Sequence, residues 1–135
     1  MAQAVVTGGN ETTVRKKPRT VAVVDDDPSM LRAAADLLEV HGFATKVFAS
    51  AEEFLDRGAA AQVDCLLLDI HLGGMSGIDL RRQLKASGCT LPVIFMTALD
   101  DEAVRHEALK AGCVACLRKP FQAHQLMAAI TNAAP

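Results

Sequence analysis

VAVVDDDPS, residues 21–29, joins an apolar run of four residues to three consecutive aspartates, which a proline and a serine follow. The apolar run predicts a buried strand. Asp27 and Pro28 predict the start of a helix, because aspartate caps helix N-termini and proline fits the first helical turn. Crowded carboxylates raise one another's pKa in a partly buried place unless a positive charge lies between them. The three aspartates therefore either face water or hold a cation.

The same alternation of strand and helix continues from residue 20 to the end of the chain. The predicted strands are TVAVVD (20–25), FATKVFA (43–49), VDCLLLD (63–69), LPVIFMT (91–97) and VACLRK (114–119). The three leucines at 66–68 indicate burial on both faces, as in a parallel sheet. Strict alternation with short loops predicts right-handed crossovers and helices on both faces. We therefore expect an α/β fold: a doubly wound, five-stranded parallel sheet, (βα)5, with strand order 2-1-3-4-5, of the flavodoxin-like type.

Capping residues and apolar periodicity predict a helix after each of these strands. The predicted helices run from Pro28 to Gly42, from a capping box at Ser50 and Glu53, over residues 78–87, from a cap at Asp100 to Gly112, and from Phe121 to about Asn132. The fourth helix lies in DDEAVRHEALKAG, which is poor in apolar residues. We expect much of its surface to stay free.

The composition is that of one soluble globular domain. Of the 135 residues, 50% are hydrophobic, 22% are charged and 4% are aromatic. No apolar run approaches the roughly 20 residues that a membrane span needs. The polar start, MAQAVVTGGNETT, lacks the regions of a signal peptide. These features predict a cytoplasmic protein without a membrane partner.

Residues 1–19 differ in charge from the rest of the chain. They contain four basic residues and one acidic residue, a net charge of +3, whereas residues 20–135 have a net charge of −5. We interpret residues 1–19 as a flexible basic tail and residues 20–133 as the domain. We do not expect this domain to bind nucleic acid directly. The tail should be dispensable for its chemistry.

The four cysteines lie in or beside apolar stretches. Cys113 and Cys116 form a C-x-x-C pair, which zinc or redox sites also use, but a zinc site needs a second ligand pair and only scattered histidines are available. We favour buried small apolar residues for Cys65, Cys89 and this pair.

Polar residues end four of the five predicted strands. The first ends in Asp25–Asp27, the third in Asp69, the fourth in Thr97 and the fifth in Lys119. Doubly wound sheets place their sites beyond the carboxyl ends of the strands, where the strand order reverses, here between strands 1 and 3. Carboxylates at this position form a hard oxygen site suited to Mg²⁺. Each residue taken singly has an ordinary explanation as a cap, a turn or a strand end, whereas the ordered set predicts a site.

The ordered set VVDDDPS, LLLDIHLGGMSG, VIFMTA and LRKPF resembles the receiver domain of two-component response regulators, of the chemotaxis-regulator type, over about residues 20–133. The resemblance implies that Asp69 is the phosphoacceptor. It also implies that Asp26 binds Mg²⁺ directly, that Asp25 acts mostly through water, and that the backbone carbonyl of His71 completes the metal ligands. Thr97 and Lys119 would contact the phosphoryl oxygens, with a cis peptide bond between Lys119 and Pro120.

The resemblance implies a signalling switch rather than an enzyme, although domains of this family can catalyse their own phosphorylation and dephosphorylation. A sensor histidine kinase or a histidine phosphotransfer protein would donate to Asp69. The face formed by the fourth helix, the fifth strand and the fifth helix would then change its contact with a downstream protein or output domain. The length leaves no room for an output domain, so we expect a stand-alone receiver or one cut from a longer regulator.

Two other functions use similar sheets. A magnesium-dependent phosphatase with an aspartyl-phosphate intermediate usually carries an acid/base aspartate two residues after the nucleophile, where this chain has His71. A flavin electron carrier needs a hydroxyl-rich phosphate loop and stacking aromatic rings, but this chain has acids after strand 1 and neither Trp nor Tyr. We rank the phosphatase second and the electron carrier third.

The chain departs from the family pattern at two positions in the motifs. Gly73 stands where the family usually has proline, so the loop after Asp69 should be less rigid. Cys116 stands where the family usually has phenylalanine or tyrosine. We expect Cys116 to stay packed as a small apolar residue, so that a signal from Asp69 would travel mainly through the loop after Thr97 and the fourth helix.

Overall fold

A computed structural model of the chain describes residues 19–133. The tail predicted at residues 1–19 therefore lies outside the described residues except for Arg19, and both the tail and the domain limits stay predictions. The strands are β1 (Thr20–Val24), β2 (Ala44–Phe48), β3 (Cys65–Asp69), β4 (Val93–Thr97) and β5 (Ala115–Arg118). The α-helices are α1 (Pro28–Val40), α2 (Ala51–Asp56), α3 (Gly77–Ala86), α4 (Glu102–Ala111) and α5 (Ala123–Ala133).

The five strands form one parallel sheet in the order β2-β1-β3-β4-β5. This confirms the predicted fold class and strand order. In the register of the central strands, Val23 lies beside Leu67, and Leu67 lies beside Ile94. The strand order reverses between β1 and β3, because β2 lies on the far side of β1 and the later strands follow β3. The carboxyl ends of β1 and β3 are therefore adjacent.

Side chains of the central strands alternate between two apolar layers. Val21, Leu67 and Ile94 pack with α1 and α5, in what we call the α1/α5 layer. Their strand neighbours Ala22, Leu66 and Phe95 pack with α2, α3 and α4, in the α2–α4 layer. Leu66, Leu67 and Leu68 are all 0% exposed, as the unbroken leucine run predicts. Burial of both faces fixes the strand ends in place.

Caps define where the helices begin. Asp27 caps α1 by accepting the backbone N–H of Ser29, and Ser50 caps α2 by accepting that of Glu53, both as predicted. The predicted cap of α4 was wrong by one residue. Asp101 accepts the N–H groups of Ala103 and Val104, whereas the preceding Asp100 forms an exposed ion pair with Arg118.

The start of α5 and the segment after α2 also differ from the sequence prediction. Helix α5 begins at Ala123 rather than at Phe121, and Phe121 packs against the α1/α5 layer. Helix α2 is a short element, and a 3-10 helix over Ala59–Gln62, which the sequence pattern did not predict, follows it.

All four cysteines are free thiols. Cys65 is fully buried, and this burial raises the pKa of its thiol to about 11. Cys89, Cys113 and Cys116 are half-buried against the α2–α4 layer. Within residues 19–133 the C-x-x-C pair belongs to no cluster with the geometry of a metal site.

Helices long and apolar enough to cross a membrane do not occur in the part of the chain that the structure describes.

Candidate functional site

Three carboxylates meet where β1 and β3 end. Asp25, Asp26 and Asp69 each offer one oxygen atom, and these atoms all lie within 4.8 Å of one another. We call these residues the acidic cluster. Asp25 and Asp69 are 0% and 5% exposed, whereas Asp26 is exposed to solvent. Three carboxylate groups at this spacing match the oxygen ligands that Mg²⁺ takes, together with water.

The three consecutive aspartates at the end of β1 have three different environments. Asp25 points into the protein, Asp26 lies at the surface of the acidic cluster, and Asp27 is the N-cap of α1. The side chain of Asp25 also accepts the backbone N–H of Asp27, at 2.9 Å. Like charges are therefore crowded in the sequence but only two of the three enter the cluster.

Lys119 supplies the positive charge among these carboxylates. Its Nζ lies 2.8 Å from Oδ2 of Asp25 and 3.6 Å from Oδ1 of Asp69. Burial alone would lower the pKa of Lys119, but the hydrogen bond to Asp25 and the charges of Asp69 and Asp25 raise it above its ordinary value. The ammonium is therefore charged at neutral pH and bridges the ends of β1 and β3.

The Asp69 carboxyl group has a raised pKa. Burial is the main cause, and the negative charge of Asp25 adds to it, while Lys119 and the backbone N–H of His71 oppose the shift. That N–H lies 3.4 Å from Oδ1 of Asp69, which makes it a weak donor. The charged form of Asp69 is thus under-compensated, and a cation at the acidic cluster would relieve the repulsion.

The backbone around Asp69 is held by close packing. Gly77, the first residue of α3, donates its N–H to the carbonyl of Ile70 at 3.0 Å. A Cβ atom added to Gly77 would lie 2.2 Å from the carbonyl oxygen of Asp69. Only glycine permits this approach of α3 to the end of β3.

The backbone of Lys119, directly after β5, is held to the end of β4. Its N–H donates to the carbonyl of Thr97 at 2.7 Å.

Thr97 is buried at the end of β4, but its hydroxyl has a partner outside the acidic cluster. Its Oγ1 accepts the backbone N–H of Leu99 at 3.1 Å. The hydroxyl therefore links the end of β4 to the loop that leads to α4.

The loop between β3 and α3 is held by two carboxylates. The N–H of Gly73 donates to Oδ2 of Asp26 at 3.3 Å, and the N–H of Met75 donates to Oε2 of Glu52, on α2, at 2.8 Å. Gly74, between them, has a φ of +77°.

Sequence reasoning missed Glu52 and Gly77. The capping box drew attention to Glu53, which accepts the N–H of Ala49, and Glu52 has no local signal because its partner lies 23 residues away. Gly77 had a usable signal, since GMSG ends in a glycine where a helix begins. Of the residues predicted from sequence, the structure joins Asp25, Asp26, Asp69 and Lys119. The backbone N–H of His71 reaches Asp69, and the hydroxyl of Thr97 bonds elsewhere.

Comparisons with known proteins identify related chains. The family described as the response regulator receiver domain matches residues 21–131. The response regulator protein TodT of Pseudomonas putida is 36% identical over 113 residues, which cover 84% of this chain and 50% of TodT. The transcriptional regulatory protein FixJ of Azorhizobium caulinodans is 37% identical over 110 residues, covering 82% of this chain and 52% of FixJ. The chain thus spans about half the length of these curated relatives.

A solved structure supports the same assignment. The crystal structure of FixJ-N superposes with a TM-score of 0.79 at 35% identity, covering 87% of this chain and 94% of that one. This chain also has the cis peptide bond at Lys119–Pro120 that the resemblance implies.

Proposed function

The chain belongs to the receiver domain family of two-component response regulators, and on this premise we propose that Asp69 accepts a phosphoryl group in a Mg²⁺-dependent reaction. The observation that carries the proposal is the meeting of the acidic cluster with Lys119 at the carboxyl ends of β1, β3 and β5. Within residues 19–133 this is the one group of His, Cys, Asp and Glu side chains whose spacing suits a metal ion.

In the proposed reaction an Oδ atom of Asp69 attacks the phosphorus of the donor. The bond from phosphorus to the donor's leaving atom breaks, and the product is an aspartyl phosphate, a mixed anhydride. Phosphoryl transfer mainly requires in-line positioning and neutralisation of charge on the phosphoryl oxygens. Bound Mg²⁺ would supply part of that positive charge.

The chain's own residues would bind the cation and contact the phosphoryl oxygens. Asp26, Asp25 and the carbonyl of His71 would hold the cation, with Asp25 acting mostly through water. Lys119 is charged and within reach of Asp69, so its ammonium would bind a phosphoryl oxygen. Thr97 would donate its hydroxyl hydrogen to another phosphoryl oxygen. The exposed Ala98 leaves space for the donor above the end of β4.

The partners and the output follow from the same proposal. A sensor histidine kinase or histidine phosphotransfer protein would be the donor in the cytoplasm, and the face of α4, β5 and α5 would contact a downstream protein or output domain. In support, only Ala108 and Ala111 of α4 are buried, which leaves the rest of this helix available. No observation in residues 19–133 favours the phosphatase alternative, since position 71 holds histidine rather than an acidic residue.

Phosphorylation with a small donor tests the proposal. The full chain is incubated with acetyl phosphate, with and without Mg²⁺, and the site of the phosphoryl group is located by mass spectrometry. We expect modification of Asp69 that depends on Mg²⁺ and is absent from Asp69→Asn, while Asp36→Asn, which removes an exposed carboxylate of α1, reacts like the wild type. Equal uptake by Asp69→Asn would contradict the proposal. A chain beginning at Pro18 should react at the wild-type rate if the tail is separate from the domain.

A further inference from the structure

The loop after β3 connects α2 to the acidic cluster through two hydrogen bonds. Glu52 accepts the N–H of Met75 at 2.8 Å, and two residues earlier the N–H of Gly73 donates to Asp26 at 3.3 Å. Glu52 also lies directly over Gly74, because a Cβ atom there would be 2.7 Å from Oε2 of Glu52. A carboxylate on α2 thus determines where the backbone of residues 73–75 lies.

Asp26 is the member of the acidic cluster that most needs such support. Asp25 is buried and bonded to Lys119, and Asp69 is buried next to both, whereas Asp26 is exposed. Within residues 19–133, the N–H of Gly73 is the only hydrogen-bond donor to its side chain. A carboxylate has about four lone-pair sites, so this one bond leaves room for a cation. A held carboxylate also loses less conformational freedom when it binds the cation.

The donor exists because position 73 is not proline. Proline, which the family usually has there, carries no backbone N–H. Space does not require glycine at this position, since a Cβ atom on Gly73 would meet nothing within 4 Å. The hydrogen bond between the loop and Asp26 is therefore a property of this chain that proline at position 73 would remove.

We propose that Glu52 is a positioning residue for the Mg²⁺ site: it holds the loop at residues 73–75 so that the N–H of Gly73 orients the carboxylate of Asp26 toward Asp25 and Asp69. The inference rests on the proposed function, because it assumes that the acidic cluster binds Mg²⁺. Within residues 19–133, the one side-chain hydrogen bond of Glu52 is the one that it accepts from Met75 in the loop. The hydrogen bond from Met75 is also the main reason why the pKa of Glu52 is lowered.

The test uses Mg²⁺ affinity of the full chain, measured by amide NMR shifts during titration with MgCl₂. Gly73→Pro removes the donor, and Gly73→Ala is its matched control because it keeps the N–H and fits the space. We expect Gly73→Pro to bind Mg²⁺ about threefold to tenfold more weakly than Gly73→Ala, as for the loss of one modest hydrogen bond. Unfolding in urea monitors stability separately, since proline also restricts the unfolded chain.

Glu52→Ala provides the second, independent variant, with Asp56→Ala as its control. Asp56 is an exposed carboxylate on the same helix, and no side-chain hydrogen bond or salt bridge joins it to the described residues. We expect Glu52→Ala, and not Asp56→Ala, to weaken Mg²⁺ binding and to move the Gly73 amide signal in the metal-free protein. In a Gly73→Pro background, Glu52→Ala should have no further effect on affinity, because the bond that it supports is already gone.

The possible outcomes separate this inference from the proposed function. If the wild type binds Mg²⁺ and is phosphorylated, but Gly73→Pro and Gly73→Ala have equal affinities, only the inference is overturned. The same holds if the effect of Glu52→Ala persists in full in the Gly73→Pro background. If the wild type neither binds Mg²⁺ nor accepts a phosphoryl group, the proposed function fails and the inference fails with it.

Discussion

The ends of β1 and β3 and the helix α4 lie near each other but are held in different ways. At the strand ends, Asp25 and Asp69 are buried, Lys119 bridges them, and every residue of β3 is buried. Helix α4 buries only Ala108 and Ala111, while Leu109 is 57% exposed. One region is fixed by many contacts, whereas in the other the fully buried side chains are two alanines and Val104 packs only partly against the core.

This difference in attachment predicts which part of the structure would move after a change of charge at Asp69. Hydrophobic burial contributes about 0.8 kcal/mol per CH₂ group, so two alanines anchor α4 far less than leucines anchor β3. Val104 of α4 also packs, partly buried, against the α2–α4 layer. The polar contacts of α4 and its C-terminal end are the hydrogen bond from Nε of Arg81 to the carbonyl of Gly112, at 2.8 Å, and an exposed ion pair of Arg82 with Glu107. Exposed pairs of this kind contribute little. New charge at Asp69 should therefore move α4 and its preceding loop, and leave the strands in place.

The largest predicted effect comes from Gly77→Ala. The added Cβ atom would collide with the carbonyl oxygen of Asp69, so either α3 or the end of β3 must move. We expect a loss of about 2 kcal/mol in the free energy of unfolding, typical of overpacking, and at least a tenfold slower reaction with acetyl phosphate. Urea unfolding and phosphorylation rates measure the two effects. Gly73→Ala, at a position with open space, is the control; equal behaviour of the two variants would show that the strand end is not tightly held.

Lys119→Met should have the next largest effect. It leaves the carboxylates of Asp25 and Asp69 without their ammonium, and we expect a loss of about 1.5 kcal/mol in metal-free buffer at neutral pH. Mg²⁺ should reduce the loss because the cation replaces part of the missing charge. The raised pKa of Lys119 means that its contribution is full below its ordinary pKa and disappears as the pH rises through the raised value. Wild type and variant should therefore converge in strongly alkaline buffer.

The neighbouring Arg118→Met is the matched control for Lys119→Met. Arg118 pairs with Asp100 at 3.5 Å, but both side chains are more than half exposed. We expect a change within about 0.5 kcal/mol, as is usual for exposed pairs. If the two variants were equally unstable, the bridge between the strand ends would have no special importance.

Asp69→Asn should increase the stability of the metal-free protein. Burial and Asp25 raise the pKa of Asp69, so the folded state binds its proton more tightly than the unfolded state does. Wild-type stability should thus fall as the pH rises from the ordinary pKa of 3.8 through the raised value, and the variant should lack this fall. Thermal unfolding between acid and neutral pH measures the difference, and Mg²⁺ should diminish it. A less stable variant at neutral pH would mean that the negative charge of Asp69 is well compensated without a cation.

Leu109→Ser should have the smallest effect. Because Leu109 is 57% exposed on α4, its replacement should change the free energy of unfolding by no more than about 0.5 kcal/mol. Phosphorylation by acetyl phosphate should be unchanged as well. Chemical denaturation and the phosphorylation assay check both expectations, and a large loss of stability would show that α4 is anchored more firmly than its two alanines indicate.

The sequence was most informative where a local pattern has a single physical solution. The three leucines at 66–68 are buried on both faces, as predicted, and Asp27 with Pro28 begins α1. Asp100 and Asp101 are equally good caps in sequence, and the structure shows that Asp101 accepts the backbone N–H groups while Asp100 pairs with the distant Arg118. Glu52 was missed because its partner Met75 is distant along the chain.

In the candidate site, too, the sequence predicted some features and not others. Position at a strand end was sufficient to bring Asp25, Asp26 and Asp69 together. It was not sufficient to orient the hydroxyl of Thr97, which bonds to Leu99, because side-chain torsions depend on the local loop. Cys116 packs against the α2–α4 layer as expected but is only half-buried, and its behaviour after phosphorylation stays a prediction.

Amide hydrogen exchange in the presence of Mg²⁺, with and without the phosphoryl mimic beryllofluoride, tests most directly whether α4 responds while the strands stay fixed. We expect the mimic to change exchange in residues 98–111, which contain the loop after Thr97 and α4, and to leave β1 and β3 unchanged. We also expect little change at β5, because Cys116 has no ring to exchange between solvent and core. Unchanged exchange in residues 98–111, with the response confined to residues 115–118 around Cys116, would contradict the account.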